Sequence, residues 1–170
     1  NYQKLIKNIT IQEAKEHIQE ITKLDNLESK TFLDVGCGSG LFSLAAIQLG
    51  AKVISFDFDK NSVKCTEKLK IKHKIQDSQW KVFEGSILDE SIIDKVGQSD
   101  IVYSWGVLHH TGNLELAMKN IKNLVNEKGF LCLAIYNHQQ FMSKYWTFIK
   151  RNYNKYFLLR PLLFIVHFAY

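Results

Sequence analysis

The chain has 170 residues, of which 46% are hydrophobic and 23% charged, and a formal net charge of +5. That length and mix describe a globular domain with one sizeable core and exclude a low-complexity or disordered chain. Three cysteines scattered through apolar segments, Cys37, Cys65 and Cys132, exclude a disulfide scaffold and an iron–sulfur cluster, and suit a reducing cytoplasm.

The charge is unevenly placed. Residues 1–137 carry seventeen basic side chains against seventeen acidic ones, so the whole excess lies in the last 33 residues, with ten of the 21 aromatics. Two regions follow: a neutral domain over 1–137 and a basic, aromatic segment over 138–170. Nucleic-acid affinity rests on many phosphate contacts, so a neutral domain argues against a nucleic-acid partner, although the basic segment keeps RNA open. The chain begins with Asn rather than Met, and a longer reading frame is expected.

In chain order, Ile11, Ala14, Ile18, Ile21 and Leu24 recur at three- and four-residue steps and predict an amphipathic helix over 10–25. Residues 31–35 (TFLDV) predict the first strand. Gly36, Gly38 and Gly40 follow, and then residues 41–49 (LFSLAAIQL) have the spacing of a buried helix, stopped by Gly50. Strand, glycine turn and helix N-terminus together let bare backbone approach a ligand, with the helix's first free N–H groups facing it. The spacing here is G-x-G-x-G; the dinucleotide fingerprint needs glycine at 41, where this chain has Leu41.

Residues 52–56 predict a second strand ending at Asp57. A carboxylate there sits beside the first glycine turn and can accept hydrogen bonds from both hydroxyls of an adenosine ribose. Asp59 is its competitor, but it also reads as the cap of a helix over 60–71. A third strand at 80–83 runs into the loop Glu84–Asp89, followed by a helix over 89–96. A fourth strand at 99–104 leads into Trp105-Gly106-Val107-Leu108-His109-His110, and a helix follows over 113–125. Gly129 then closes that helix and opens a fifth strand over 129–136. Five strands alternating with helices predict an α/β fold: a doubly wound, mainly parallel Rossmann-like sheet with helices on both faces.

The string Asp34-Val35-Gly36-Cys37-Gly38-Ser39-Gly40 resembles the first motif, D-x-G-x-G-x-G, of the class I S-adenosylmethionine (SAM)-dependent methyltransferases. The resemblance covers about residues 28–137 and implies SAM as the methyl donor. It places the donor's methionine end on the turn of Gly36, Cys37, Gly38 and Gly40, and its ribose on Asp57 beside Phe58. Adenine then lies at Ser86 and Ile87, with Trp105 at the end of the fourth strand. Asp34 orients the turn or, through water, the donor's ammonium group. The family often has Asp where this chain has Ser86, so the adenine amine contact passes to Asp89 unless Asp89 only caps a helix. The family's two further strands, an antiparallel hairpin, are not evident after residue 137.

The V-L-H-H string at 107–110 resembles the small-molecule branch of that family, including methylases of quinone biosynthesis. No Asn/Asp/Ser-Pro-Pro-aromatic string precedes it, as amino-methylating nucleic-acid enzymes have, and no acidic cluster marks a metal at the strand end. We therefore expect no metal and a small-molecule or lipid-like acceptor. His109 and His110 are candidate catalytic residues, with His109 preferred, because a hydroxyl acceptor must lose a proton and imidazole titrates near working pH. The alternative is that one packs and the other only shapes the pocket.

Residues 141–157 place Phe141, Tyr145, Phe148, Ile149, Asn152, Tyr153, Tyr156 and Phe157 on one helical stripe, before an apolar run over 158–170 broken by Arg160-Pro161. Three readings stay open for this segment: a lid over the acceptor pocket, a membrane-surface contact, or a helix packed on a sheet edge. The rival functions are a non-catalytic scaffold binding SAM or its demethylated product S-adenosylhomocysteine (SAH), and a nicotinamide-dependent oxidoreductase. Leu41 and the lack of a Tyr-x-x-x-Lys pair disfavour the second.

Overall fold

The computed structural model describes residues 8–136, 140–156 and 160, with the side chains of 8, 9 and 140–144 left aside. The elements run α1 (Asn8–Thr22), β1 (Thr31–Val35), α2 (Leu41–Gln48), β2 (Lys52–Asp57), α3 (Lys60–Lys72), β3 (Trp80–Glu84), α4 (Glu90–Val96), β4 (Ser99–Trp105), α5 (Leu114–Asn123), β5 (Val125–Ala134) and α6 (Gln140–Lys155). A single 3₁₀ turn, Leu108–His110, lies between β4 and α5. The chain divides into two compact units, Asn1–Ile135 and Tyr136–Tyr170.

The first unit holds a five-stranded sheet in the order β3-β2-β1-β4-β5, every neighbouring pair parallel. This is the α/β, doubly wound architecture expected from the alternation of elements. Side chains on β1 alternate between the two faces, as a pleated strand requires. Phe32 joins the core formed with α1, α2 and α3 (Ile18, Leu44, Leu69), while Leu33 and Val35 join the core formed with α4 and α5 (Ile92, Val96, Ile121). Strand order reverses at β1, with β2 on one side and β4 on the other. In open parallel sheets the ligand crevice lies at that switch point, beyond the carboxyl ends of the strands.

At the opposite end of the sheet, Asp100 links three strands. Its Oδ2 accepts the Thr31 amide and hydroxyl, each at 2.8 Å, and its Oδ1 accepts Asn126 Nδ2 at 3.2 Å. The Thr31 amide chiefly, with its hydroxyl and Asn126, holds this carboxyl below the usual range.

One boundary differs from expectation. α5 ends at Asn123, and β5 begins at Val125 rather than at Gly129. Val125 already pairs with Ser99, and the register then shifts so that Phe130 pairs with Ile101. Gly129 sits inside this irregularity, where a Cβ would stand 2.8 Å from the Asp100 carbonyl oxygen. The glycine serves a close backbone approach rather than a helix stop.

In the second unit, α6 covers most of the stretch expected to be helical. Asn152 Nδ2 donates to the Phe148 carbonyl at 2.8 Å, and the Arg160 guanidinium lies 5.1 Å from the Tyr153 ring centre. The apolar run over 158–170 lies outside the described residues apart from Arg160. Among the described residues no helix is long and apolar enough to cross a membrane.

Candidate functional site

β1 delivers its chain into the glycine turn at the switch point. Gly36 (φ +80°) and Gly40 (φ +78°) take left-handed backbone that side chains disfavour. Space is a second constraint on both. A Cβ on Gly36 would stand 2.5 Å from Val107 Cγ1, and one on Gly40 would stand 2.8 Å from Thr66 Cγ2. Gly38 faces open space, with nothing within 4 Å of a Cβ built there.

The turn is tied to β2 and α3. Asp57 Oδ2 accepts the Gly38 amide at 2.9 Å, and Oδ1 accepts the Asp59 amide at 2.9 Å. A carboxylate has about four lone-pair positions, so Asp57 keeps acceptor capacity for a ligand. Asp59 is committed elsewhere: it caps α3 by accepting the amides of Asn61 and Ser62, each at 3.1 Å. Thr66, on α3, donates to the Gly38 carbonyl at 3.2 Å and meets Cys37 Sγ at 3.5 Å.

Two cavities open at the strand ends and share Gly36. The first, about 420 Å³, is walled by Phe56, Asp57, Phe58, Ser86, Ile87, Val107 and His110, among others. The second, about 460 Å³, is walled by Thr10, Asp34, the Gly36–Ser39 turn, Leu41, Phe42, Tyr103 and Trp105. Phe58 is 79% exposed, an aromatic face left uncovered beside Asp57. Ile87 is buried, and its carbonyl accepts Asn120 Nδ2 from α5 at 2.8 Å. Ser86 Oγ accepts the Leu88 amide at 3.2 Å, and Asp89 caps α4 through the Ser91 amide at 2.9 Å. Asp89 lines neither cavity.

In the second cavity Asp34 is almost wholly buried. Desolvation pushes its carboxyl up to about 7, against the pull of the Ser43 hydroxyl and amide and with a further push from Asp57. Burial likewise drives the Cys37 thiol and the Tyr103 phenol up. Among the described residues, Asp34 has no ion-pair partner, and Tyr103 Oη and His17 Nε2 are buried without a hydrogen-bond partner. His17, on α1, meets Trp105 edge-on with ring centres 4.5 Å apart, and Trp105 stacks on Tyr103 at 5.7 Å.

The two histidines separate. His110 lines the first cavity, while His109 lines neither and lies with its ring centre 4.0 Å from that of His110. Desolvation, then His110, holds the His109 imidazole below its ordinary range. Among the described residues no three His, Cys, Asp or Glu side chains gather as a metal site. Sequence reading missed Thr10, Phe42, Thr66, Tyr103, Val107 and Asn120. Only Val107 carried a signal, through its place beside the two histidines.

A sequence profile described as a methyltransferase domain matches residues 7–161. The chain belongs to this methyltransferase family. It is 30% identical over 121 residues to a ribosomal protein L11 methyltransferase of Helicobacter hepaticus, covering 66% of this chain and 37% of that protein. It is 26% identical over 139 residues to a ubiquinone biosynthesis O-methyltransferase of Pelagibacter ubique, covering 76% of this chain and 53% of that one. The methyltransferase domain thus spans about half or less of the length of these relatives. Among solved structures, magnesium protoporphyrin IX methyltransferase of Synechocystis, with bound SAH, superposes with a TM-score of 0.65 at 18% identity, covering 81% of this chain and 61% of that one. The YcgJ protein of Bacillus subtilis gives a TM-score of 0.66 at 15% identity, covering 82% and 58%.

The family's donor is SAM. The donor set here fits that molecule: a carboxylate with spare acceptor positions, an open glycine backbone, and a buried acid without a cationic partner.

Proposed function

We propose that this methyltransferase domain moves the methyl group of SAM to a small or lipid-like acceptor by in-line displacement. The observation that carries the reading is the joining of the two cavities at Gly36, with the Asp57 carboxylate on one side and the buried Asp34 carboxylate on the other. SAM supplies an electrophilic methyl group on a sulfonium. The protein's own task is to bind and align, which supplies most of the acceleration in such a displacement.

Each role rests on a position already described. Asp57 accepts the ribose hydroxyls while its other lone pairs keep the Gly38 amide in place. Phe58 and Ile87 bracket the adenine, and the Ser86–Ile87 backbone reads its edge. The Gly36–Gly40 turn, with Cys37 packed beneath it on Thr66, carries the methionine end, and Asp34 takes the ammonium charge. Trp105 and Tyr103 wall the donor's far end. His110, in the wall with Val107 and Thr111, is the better placed of the two histidines to accept a proton from an acceptor hydroxyl. His109 backs it.

The relatives named as ubiquinone biosynthesis O-methyltransferases favour a hydroxyl acceptor on a quinol-type molecule. The ribosomal protein L11 methyltransferase relatives support a second reading, a protein as acceptor. Purified chain with methyl-labelled SAM separates them: label entering quinol-type lipids supports the first, and label entering ribosomal protein supports the second. Binding of SAH with no transfer to either class supports the non-catalytic scaffold. Calorimetry in which NAD binds and SAM does not would overturn the whole reading.

A further inference from the structure

Across the sheet face covered by α1 and α2, one row of side chains breaks the apolar pattern. Asp34 on β1 stands in register with Ser55 on β2 and with Tyr103 on β4. Ser43, in the first turn of α2, lies over this row, and Trp80 opens β3 beside it. Asp34, Ser43, Ser55 and Trp80 are all buried, none more than 3% exposed. Their polar atoms form one continuous chain. Trp80 Nε1 donates to Ser55 Oγ at 2.8 Å, the Ser55 and Ser43 hydroxyl oxygens are 2.8 Å apart, and Ser43 Oγ donates to Asp34 Oδ2 at 2.5 Å.

The chain can run in only one direction. Indole N–H donates and never accepts. Ser43 spends its one hydroxyl proton on Asp34, so the proton between the two serines belongs to Ser55. Each hydroxyl therefore gives one hydrogen bond and takes one. In the reverse sense Ser43 would donate to Ser55, and the Ser55 proton would have no acceptor among the described residues. A buried, fully connected chain of this kind polarises toward its end. That end is a carboxylate.

The surroundings of that carboxylate otherwise oppose its charge. The titratable groups that face it are Asp57 on β2, Cys37 in the turn and Tyr103 on β4. Cys132 on β5 adjoins Tyr103 and His17 on α1 packs against it. None of these is a lysine or arginine. Alanine at positions 43 and 55 would fill the same apolar face without polar atoms to satisfy.

We infer that Trp80, Ser55 and Ser43 are positioning residues for donor binding: a one-way hydrogen-bond relay that favours the anionic form of Asp34 in its buried position, so that it receives the ammonium group of SAM and ties donor affinity to pH. This rests on the donor-site reading above. The relay acts through Asp34 and touches no ligand atom itself.

The test uses the full chain and two readouts. The first is the carbon-13 shift of the Asp34 carboxyl through a pH titration of ligand-free protein. The second is the SAM affinity of wild type, Trp80→Phe, Ser43→Ala and Ser43→Thr between pH 6 and pH 9. Affinities are taken as variant-to-wild-type ratios at each pH, so that the ligand's own titration cancels. Losing a link in the relay is expected to raise the Asp34 midpoint by about one pH unit, a tenfold change in its protonation equilibrium. Trp80→Phe and Ser43→Ala should then bind SAM about tenfold more weakly at pH 6, about fivefold at pH 7 and within about twofold at pH 9. Ser43→Thr, which keeps the hydroxyl, should follow wild type.

A loss of equal size at every pH, or an Asp34 midpoint unmoved in both Trp80→Phe and Ser43→Ala, overturns the relay and leaves the donor site standing. Wild type that takes up no SAM at pH 9 overturns the donor-site reading, and the relay's role in binding falls with it. If Trp80→Phe does not fold, Ser43→Ala, a smaller deletion, carries the same comparison.

Discussion

Asp57 Oδ2 accepts the amide of Gly38 at 2.9 Å. The carboxylate at the end of β2 thus fixes the middle of the glycine turn after β1 and still has lone pairs to offer. Hydrogen bonds to a charged acceptor contribute about 1.5–3 kcal/mol each. Asp57→Ala is expected to weaken SAM binding by about 100-fold, and Asp57→Asn, which keeps one acceptor oxygen, by a smaller factor. Isothermal titration with SAM and SAH measures both.

Gly36 and Val107 share one small volume. Gly36→Ala places a methyl group in left-handed backbone and 2.5 Å from Val107 Cγ1, so a loss of about 2–4 kcal/mol in urea unfolding is expected. Adding Val107→Ala should recover the steric part and leave the backbone part. Full additivity of the two substitutions would contradict the contact.

Asn120 holds the Ile87 carbonyl from across the sheet's second face. Asn120→Ala leaves that buried oxygen without its donor, at about 1–2 kcal/mol, and should loosen the Ser86–Ile87 loop and, if that loop holds adenine as proposed, weaken SAM several-fold. Asp89→Ala, which removes the cap of α4, should cost about 1 kcal/mol and leave SAM affinity unchanged. Denaturation and titration on the two variants separate loop positioning from helix capping.

Burial raises the Asp34 carboxyl from 3.8 in the unfolded chain to about 7. The folded state therefore binds this proton more tightly. The stabilisation is fully present below about pH 4 and is lost as pH rises through 7, amounting to a few kcal/mol. Asp100 works the other way: its lowered carboxyl stabilises above the unfolded value and loses that contribution as pH falls through the folded one. Asp34→Asn is thus expected to make the ligand-free protein more stable than wild type at pH 8, to match it near pH 4, and to lose SAM binding. Thermal unfolding at the two pH values gives the comparison.

Local signals carried much of the design. The run TFLDV, three glycines and LFSLAAIQL each mark their own element, and so β1, its turn and α2 were legible without tertiary information. Asp59 was legible as a cap because capping is decided within three residues. The contacts that support the site were not. Asn120 meets Ile87 at a separation of 33 residues and Thr66 meets Gly38 at 28, and no local pattern announces either. Gly129 misled because a glycine after a helical stretch ordinarily stops it. Here the partner strand decided, since Ser99 recruits Val125 into the sheet before the glycine is reached. The histidine pair was visible as a motif, but which ring meets the cavity depends on the 3₁₀ turn that orients them.

The Asp100 clasp joins β1, β4 and β5 at the edge farthest from the cavities. Anchorage and the two cavities therefore occupy opposite rims of one sheet. Loops along the cavity rim, apart from the glycine turn and the Ile87 loop that the fold itself holds, can vary while the fastened rim keeps the strands in step. For an engineer this makes the framework a chassis: new acceptor specificity can be grafted above it without redesigning what holds it together.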